Sequence, residues 1–248
     1  MGLVRDVTAA VRIVRAVAQG VRGLWLIRTR FPRFDAGERE ACIEQWARGM
    51  LAILNIELRV EGARPAAGRL LLVANHTSWL DILAILSARA SRFIAKSEIR
   101  NWPLIGSVSA GAGTLFIERT QRRDALRTVH RTAEALAAGD IVAVFPEGAT
   151  GDGRVLLPFH ANLLQAAIAA DAAALPVGIR FVDAATGQPS SVATYTDDDT
   201  LVASLWRTLR ADPLCAVVRF GTPQPAAGRD RRTWAADLHA AVDTLRQN

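Results

Sequence analysis

The run Val73-Ala74-Asn75-His76-Thr77-Ser78-Trp79-Leu80-Asp81 sets an imidazole and a carboxylate five positions apart, directly after an apolar segment. A neutral imidazole takes a proton from an alcohol near neutral pH, and a neighbouring carboxylate fixes its tautomer and stabilises the imidazolium that forms. The same two residue types also make helix caps and core hydrogen bonds, so the pair alone leaves both readings open. Three other segments carry polar groups or turn residues beside β-rich runs: Gly113-Thr114-Leu115-Phe116-Ile117-Glu118-Arg119, Val142-Ala143-Val144-Phe145-Pro146-Glu147-Gly148 and Ala174-Leu175-Pro176-Val177-Gly178. Taken singly, Glu118 with Arg119 reads as a solvated ion pair, and Pro146 with Gly148 as a turn.

The elements around these residues follow from pattern. Leu70 to Ala74 predicts a short buried strand, so His76 falls on a strand-to-helix turn at the carboxyl end of that strand, with Asp81 on the following helix. Further strands are expected at Ile56 to Glu61, Arg92 to Ala95, Thr114 to Ile117, Ile141 to Phe145, Ala174 to Phe181 and Ala216 to Phe220. Helices are expected at Leu80 to Ser87, Arg122 to Ala138, Ala161 to Ala170, Leu201 to Arg210 and Arg231 to Arg246, with a polar surface excursion over Ala184 to Asp199. This alternation indicates an α/β domain over residues 55–248, a mixed and mostly parallel sheet flanked by helices. Residues 1–54 form an N-terminal amphipathic helical hairpin, in which Phe31-Pro32-Arg33-Phe34-Asp35 connects the helices and Asp35 caps the second. Trp46, Met50, Leu51 and Leu54 supply the buried face of that second helix.

Charge is concentrated at the N-terminus. Residues 1–33 hold seven arginines (5, 12, 15, 22, 28, 30 and 33) against Asp6, which accounts for the whole formal charge of +6. Val4, Val7, Val11, Val14, Ala18, Val21 and Trp25 recur at steps of three and four, an apolar stripe on a basic helix. That combination suits a helix lying in the headgroup region of an anionic membrane; a helix packed on its own domain, or an organellar transit segment, shares the pattern. No run of about 18 uncharged apolar residues predicts a spanning helix. Cys42 and Cys215 stand far apart without disulfide or zinc spacing, and half of the 248 residues are hydrophobic, enough for a substantial core.

The order Asn-His-x4-Asp, Phe-Ile-x-Arg, Phe-Pro-Glu-Gly and hydrophobic-Pro-hydrophobic, over residues 70–180, resembles the glycerolipid acyltransferase family that includes bacterial 1-acylglycerol-3-phosphate acyltransferases. The resemblance implies that His76 is the general base and Asp81 its orienting carboxylate. Arg119 matches the arginine assigned to the acceptor's phosphate, Glu147 and Gly148 match acceptor-binding and architectural positions, and Pro176 matches the position that shapes the acyl side. It further implies transfer of a fatty acyl group from acyl-CoA or acyl carrier protein to a lysolipid hydroxyl, 1-acyl-sn-glycerol-3-phosphate first among acceptors, with no cofactor or metal. Docking of the hairpin on the cytoplasmic face of a membrane follows from the same resemblance. Two departures stand out. Ala149 and Thr150 replace a common Thr-Arg after Gly148, and Phe159-His160-Ala161-Asn162 replaces a common Phe-Lys-x-Gly. Both reduce positive charge near the expected acceptor site and make room for a lyso-ornithine or other phosphate-poor lysolipid.

Other chemistries find little support. No Gly-x-Ser-x-Gly elbow surrounds any serine, Lys96 lacks a Gly-rich phosphate loop, and His130, His160 and His239 lack metal-ligand spacing. Nucleic-acid binding would rest on the basic N-terminus alone. A non-catalytic lipid-binding module is the reading from a different class, and it leaves the retention of both His76 and Asp81 unexplained.

Overall fold

The computed structural model describes residues 2–117, 122–196 and 198–247, with backbone alone at 122–125. Strands β1 (Ile56–Glu61), β2 (Leu70–Ala74), β3 (Arg92–Lys96), β4 (Leu115–Ile117), β5 (Ile141–Val144), β6 (Ala173–Asp183) and β7 (Leu214–Phe220) form one sheet in the order β1-β7-β6-β2-β5-β3-β4. All neighbours pair in parallel except β6 with β7. Around the sheet lie α1 (Gly2–Thr29), α2 (Ala36–Ile53), α3 (Leu80–Ala88), α4 (Ile105–Gly111), α5 (Arg122–Ala137), α6 (Leu164–Ala169), α7 (Leu201–Arg210) and α8 (Arg231–Gln247).

Strand β2 sits between β5 and β6, and all of its side chains are buried, as an unbroken apolar run requires when both faces of a sheet are covered. Alternation divides it between two cores. Leu70, Leu72 and Ala74 join Leu51 and Leu54 from the α2 end and Leu80 and Ile85 from α3. Leu71 and Val73 meet Leu136, Leu164, Trp234 and Leu238 from α5, α6 and α8. Each fully buried leucine contributes about 2 kcal/mol of transfer free energy, more than a typical exposed ion pair.

The N-terminal helices form as the sequence predicts. Asp35 and Glu38 make a reciprocal capping box that starts α2. Trp46 Nε1–H donates to Gln19 O while Gln19 Nε2 donates to Trp46 O, and the indole fits against Gly23, where a Cβ would stand 2.6 Å from Nε1. Helix α1 turns its small residues Ala9, Gly20 and Gly23 inward and leaves the valine stripe outside, with Val4 71% and Val14 69% exposed.

Some boundaries differ from expectation. The 3-10 turn Ser97–Asn101 and helix α4 fill the β3-to-β4 crossover, a segment too short and glycine-rich to show helical periodicity. Residues Ala161–Leu163 are 3-10 before α6 begins. Strand β6 continues to Asp183 and β7 begins at Leu214, because their antiparallel ladder pairs Val182 with Cys215 and Asp183 with Leu214.

Helix α8 crosses β6 at Gly178, where an added Cβ would stand 2.5 Å from Leu245 C and 2.6 Å from Arg246 N. Gly178→Ala should push the end of α8 off the sheet and cost about 1–3 kcal/mol, read as a lower denaturant midpoint at unchanged slope.

Candidate active site

Parallel pairing of β2 with β5 places their carboxyl ends side by side, with Val73 opposite Val144. His76 leaves the first strand and Glu147 the second. Asn75 fixes the exit of β2 toward β6: its Nδ2 donates to Ile179 O at 2.9 Å, and its Oδ1 accepts from Ile179 N–H at 2.7 Å. The chain then turns into α3, whose first turn carries Asp81 with its side chain wholly buried.

One oxygen of Asp81 collects three donors. Oδ2 lies 2.9 Å from His76 Nδ1 and accepts from Thr77 N–H at 2.7 Å and Ser78 N–H at 2.8 Å. A carboxylate in that position makes Nδ1 the protonated nitrogen and leaves Nε2 as the basic one. Among the described residues no arginine or lysine pairs with Asp81, so an imidazolium at His76 would be its cationic partner. Phe145 stacks on the imidazole with ring centroids 3.9 Å apart and planes within 6°, and Phe93 stacks in turn on Phe145. The ring is thereby held on one face and one edge. Its side chain keeps 18% exposure, so an alcohol has access to it.

Glu147 is buried beside this pair, and both of its oxygens accept backbone hydrogens. Oε1 accepts from His76 N–H at 2.6 Å, and Oε2 from Leu157 N–H at 2.9 Å. Burial pushes the Glu147 carboxyl above its ordinary value, against the lowering effect of those two backbone bonds and of nearby His76. Gly151 N–H donates to His76 O at 2.9 Å and ties the loop after Glu147 back to the same residue. Gly148 has φ +77, a conformation in which a side chain is strained, and a Cβ there would stand 3.1 Å from His160 Cδ2. His160 is anchored by its own N–H to Pro146 O at 2.8 Å.

The structure thus brings His76, Asp81, Glu147 and Gly148 together. Pro176 lies elsewhere, as the fourth residue of β6, opposite Val73 one layer beneath the turn. It precedes the β6–β7 ladder and accepts from Gly221 N–H at 2.9 Å, a position where a missing N–H interrupts no strand pairing. Arg119 falls outside the described residues. Sequence reasoning missed Phe145 as the ring beneath the imidazole, although it stands in the quoted Phe-Pro-Glu-Gly, and missed the Thr77 and Ser78 amides, which carry no side-chain signal.

The chain has relatives among known proteins. Residues 55–180 match the family model described as Acyltransferase. The chain is 40% identical over 207 residues to a 1-acyl-sn-glycerol-3-phosphate acyltransferase of Neisseria meningitidis serogroup B, covering 77% of this chain and 80% of that protein. It is 35% identical over 246 residues to a lyso-ornithine lipid O-acyltransferase of Pseudomonas aeruginosa, covering 98% and 93%. The fold matches the crystal structure of the 1-acyl-sn-glycerophosphate acyltransferase from Thermotoga maritima with a TM-score of 0.64 at 21% identity, over 96% of this chain and 98% of that one.

Because the Glu147 carboxyl is raised, the folded protein binds its proton at a pH where the unfolded chain has released it. Through this group stability is fully present below the ordinary glutamate range and falls as pH rises through the raised value. Glu147→Gln should remove that slope. It should also present an amide donor to one of the two N–H groups and destabilise the turn by about 1–3 kcal/mol. Unfolding midpoints of both proteins over a pH series check both effects.

Proposed function

The chain belongs to the acyltransferase family, and from that premise we propose that it moves a fatty acyl group from an acyl thioester to the hydroxyl of a lysolipid. The observation that carries this reading is the bond from His76 Nδ1 to the buried Asp81 carboxylate, which leaves Nε2 as the proton acceptor. In the proposed reaction Nε2 takes the hydroxyl proton as the acceptor oxygen attacks the thioester carbonyl carbon. The carbon–oxygen bond forms, the carbon–sulfur bond breaks, and the departing thiolate takes the proton back from the imidazolium. Coenzyme A or acyl carrier protein is the leaving thiol. Asp81 orients the ring and stabilises its cationic form, Glu147 and Gly148 shape the acceptor side, and Pro176 supports the sheet layer beneath the acyl side. No cofactor enters the scheme.

The leading acceptor is 1-acyl-sn-glycerol-3-phosphate, giving phosphatidic acid, with Arg119 as the group that grips its phosphate by a bidentate guanidinium fork. A lyso-ornithine lipid is the second reading, and a specific feature favours it. The residues after Gly148 are Ala149 and Thr150, and the side chain against Gly148 is the imidazole of His160, so these three positions supply no fixed positive charge. The exposed valine stripe and arginines of α1 support docking on an anionic membrane surface, with α1 in the headgroup region; the cytoplasmic face is the side this reading assigns to it.

His76→Ala should lower acyl transfer by about 10²-fold or more in a chain that still folds, and Asp81→Asn should lower kcat with little effect on KM. Thiol release by His76→Ala at the wild-type rate would sink the mechanism. A panel of lysolipids tested with acyl-CoA and with acyl carrier protein donors identifies both substrates, and a strong preference for a phosphate-free acceptor rejects the leading choice. Arg119→Ala should raise KM for the phosphate-bearing acceptor by about tenfold or more and leave a phosphate-free acceptor nearly unaffected.

A further inference from the structure

Helix α7 touches the catalytic turn on one side and α1 on the other. Toward the turn, the buried Ser204 Oγ accepts from Trp79 Nε1–H at 3.2 Å. Arg207 donates to Val192 O at 3.1 Å and Thr194 O at 2.5 Å, and forks onto Asp199 with two bonds of 2.9 Å. Its guanidinium therefore ties the segment before α7 onto the helix. In that segment Tyr195 N–H donates to Thr77 O at 2.9 Å, next to His76. The polar excursion after β6 is thus fastened to the catalytic turn.

Toward α1, Arg210 Nε pairs with Asp6 at 2.7 Å, Arg12 Nη1 donates to Leu209 O at 2.8 Å, and Arg5 pairs with Asp212 at 2.9 Å. The outward face of α7 presents Val202 and Trp206 one turn apart, 77% and 36% exposed. Arg210 Cζ stands 6.0 Å from the Trp206 ring while its Nε holds Asp6, so the indole flanks the first turns of α1, where Leu3, Val4 and Val7 are exposed. Among the described residues α2 exposes no large apolar side chain, so the apolar surface passes from α1 to α7 and not along the hairpin. Arg15, Arg28 and Arg33 on and just beyond α1 are exposed, with no carboxylate within ion-pair distance among the described residues.

We propose that α7 is a second lipid-contacting helix, and that contact of Val202 and Trp206 with an anionic bilayer surface steadies the His76 turn through Ser204, Trp79 and the segment held by Arg207. An anionic bilayer fits the surplus arginines, and an indole with an apolar body and a polar edge suits the depth of lipid headgroups. The activity consequence rests on the acyltransferase reading, and the binding consequence does not.

The test uses the full chain with vesicles of phosphatidylglycerol and phosphatidylethanolamine. Val202→Ser/Trp206→Ser should weaken vesicle partition by about three- to tenfold, and transfer to a vesicle-embedded lysolipid in proportion, while transfer to a short-chain monomeric lysolipid stays within about twofold. Trp206→Gln alone should show a smaller loss of the same kind and serves should the double variant fold poorly. Ser204→Ala should keep partition and lose part of the stimulation that vesicles give to turnover. Unchanged partition in both Trp206 variants overturns the contact, and full stimulation in Ser204→Ala overturns the coupling. Loss confined to the acyl carrier protein donor with partition intact overturns the proposal in favour of a carrier-protein surface. If the wild-type chain transfers no acyl group to any acceptor, the acyltransferase assignment of substrates fails, and partition alone decides the contact.

Discussion

Two parallel strand ends need something to hold them once their ladder stops, and here the Glu147 carboxylate supplies it. The β2–β5 register ends at Val73 and Val144, and His76 and Glu147 are the next residues to meet. A carboxylate accepting two backbone N–H groups, from His76 and Leu157, spans the gap that a main-chain bond would otherwise fill. Hydrogen bonds to a charged acceptor contribute roughly twice what neutral ones do and offset part of the cost of burying the charge, though burial is the larger effect and leaves the Glu147 carboxyl raised. The position of the imidazole, its contact with Phe145 and the return of Gly151 to His76 O all depend on that junction.

The second constraint is local. Asp81 reaches back from the first turn of α3 to the Thr77 and Ser78 amides, so the bonds that stabilise the helix start also aim the carboxylate at Nδ1. The start of α3 and the orientation of the His76 ring share one oxygen atom. Such sharing fixes the carboxylate through the backbone, so the oxygen that orients the ring is itself held by the fold.

Much of this was legible in the chain. The apolar run Leu70–Ala74, the His/Asp spacing and the Phe-Pro-Glu-Gly turn all act over short distances, where pattern and spacing speak directly. The valine stripe of α1 was equally legible as a helix face. Its periodicity was silent on which side the protein covers, and the structure answers with the small residues Ala9, Gly20 and Gly23 turned inward. Residues 105–111 and Phe145 were not legible in helix type and in role, the first because the helix is too short for a period and the second because its partner lies 69 positions earlier in the chain.

By itself, then, the sequence determined the residue types able to do proton transfer, the strand-to-helix turn that presents them, and the basic apolar character of the N-terminal helix. All of these are set by neighbours within one or two turns or along one strand. Tertiary structure decided that Glu147 meets His76, that Pro176 lies in the layer beneath, and that α7 bridges α1 and the His76 turn. Those contacts join segments brought together by a parallel sheet, and parallel neighbours need long crossovers whose pairing leaves no short-range trace in the order of residues.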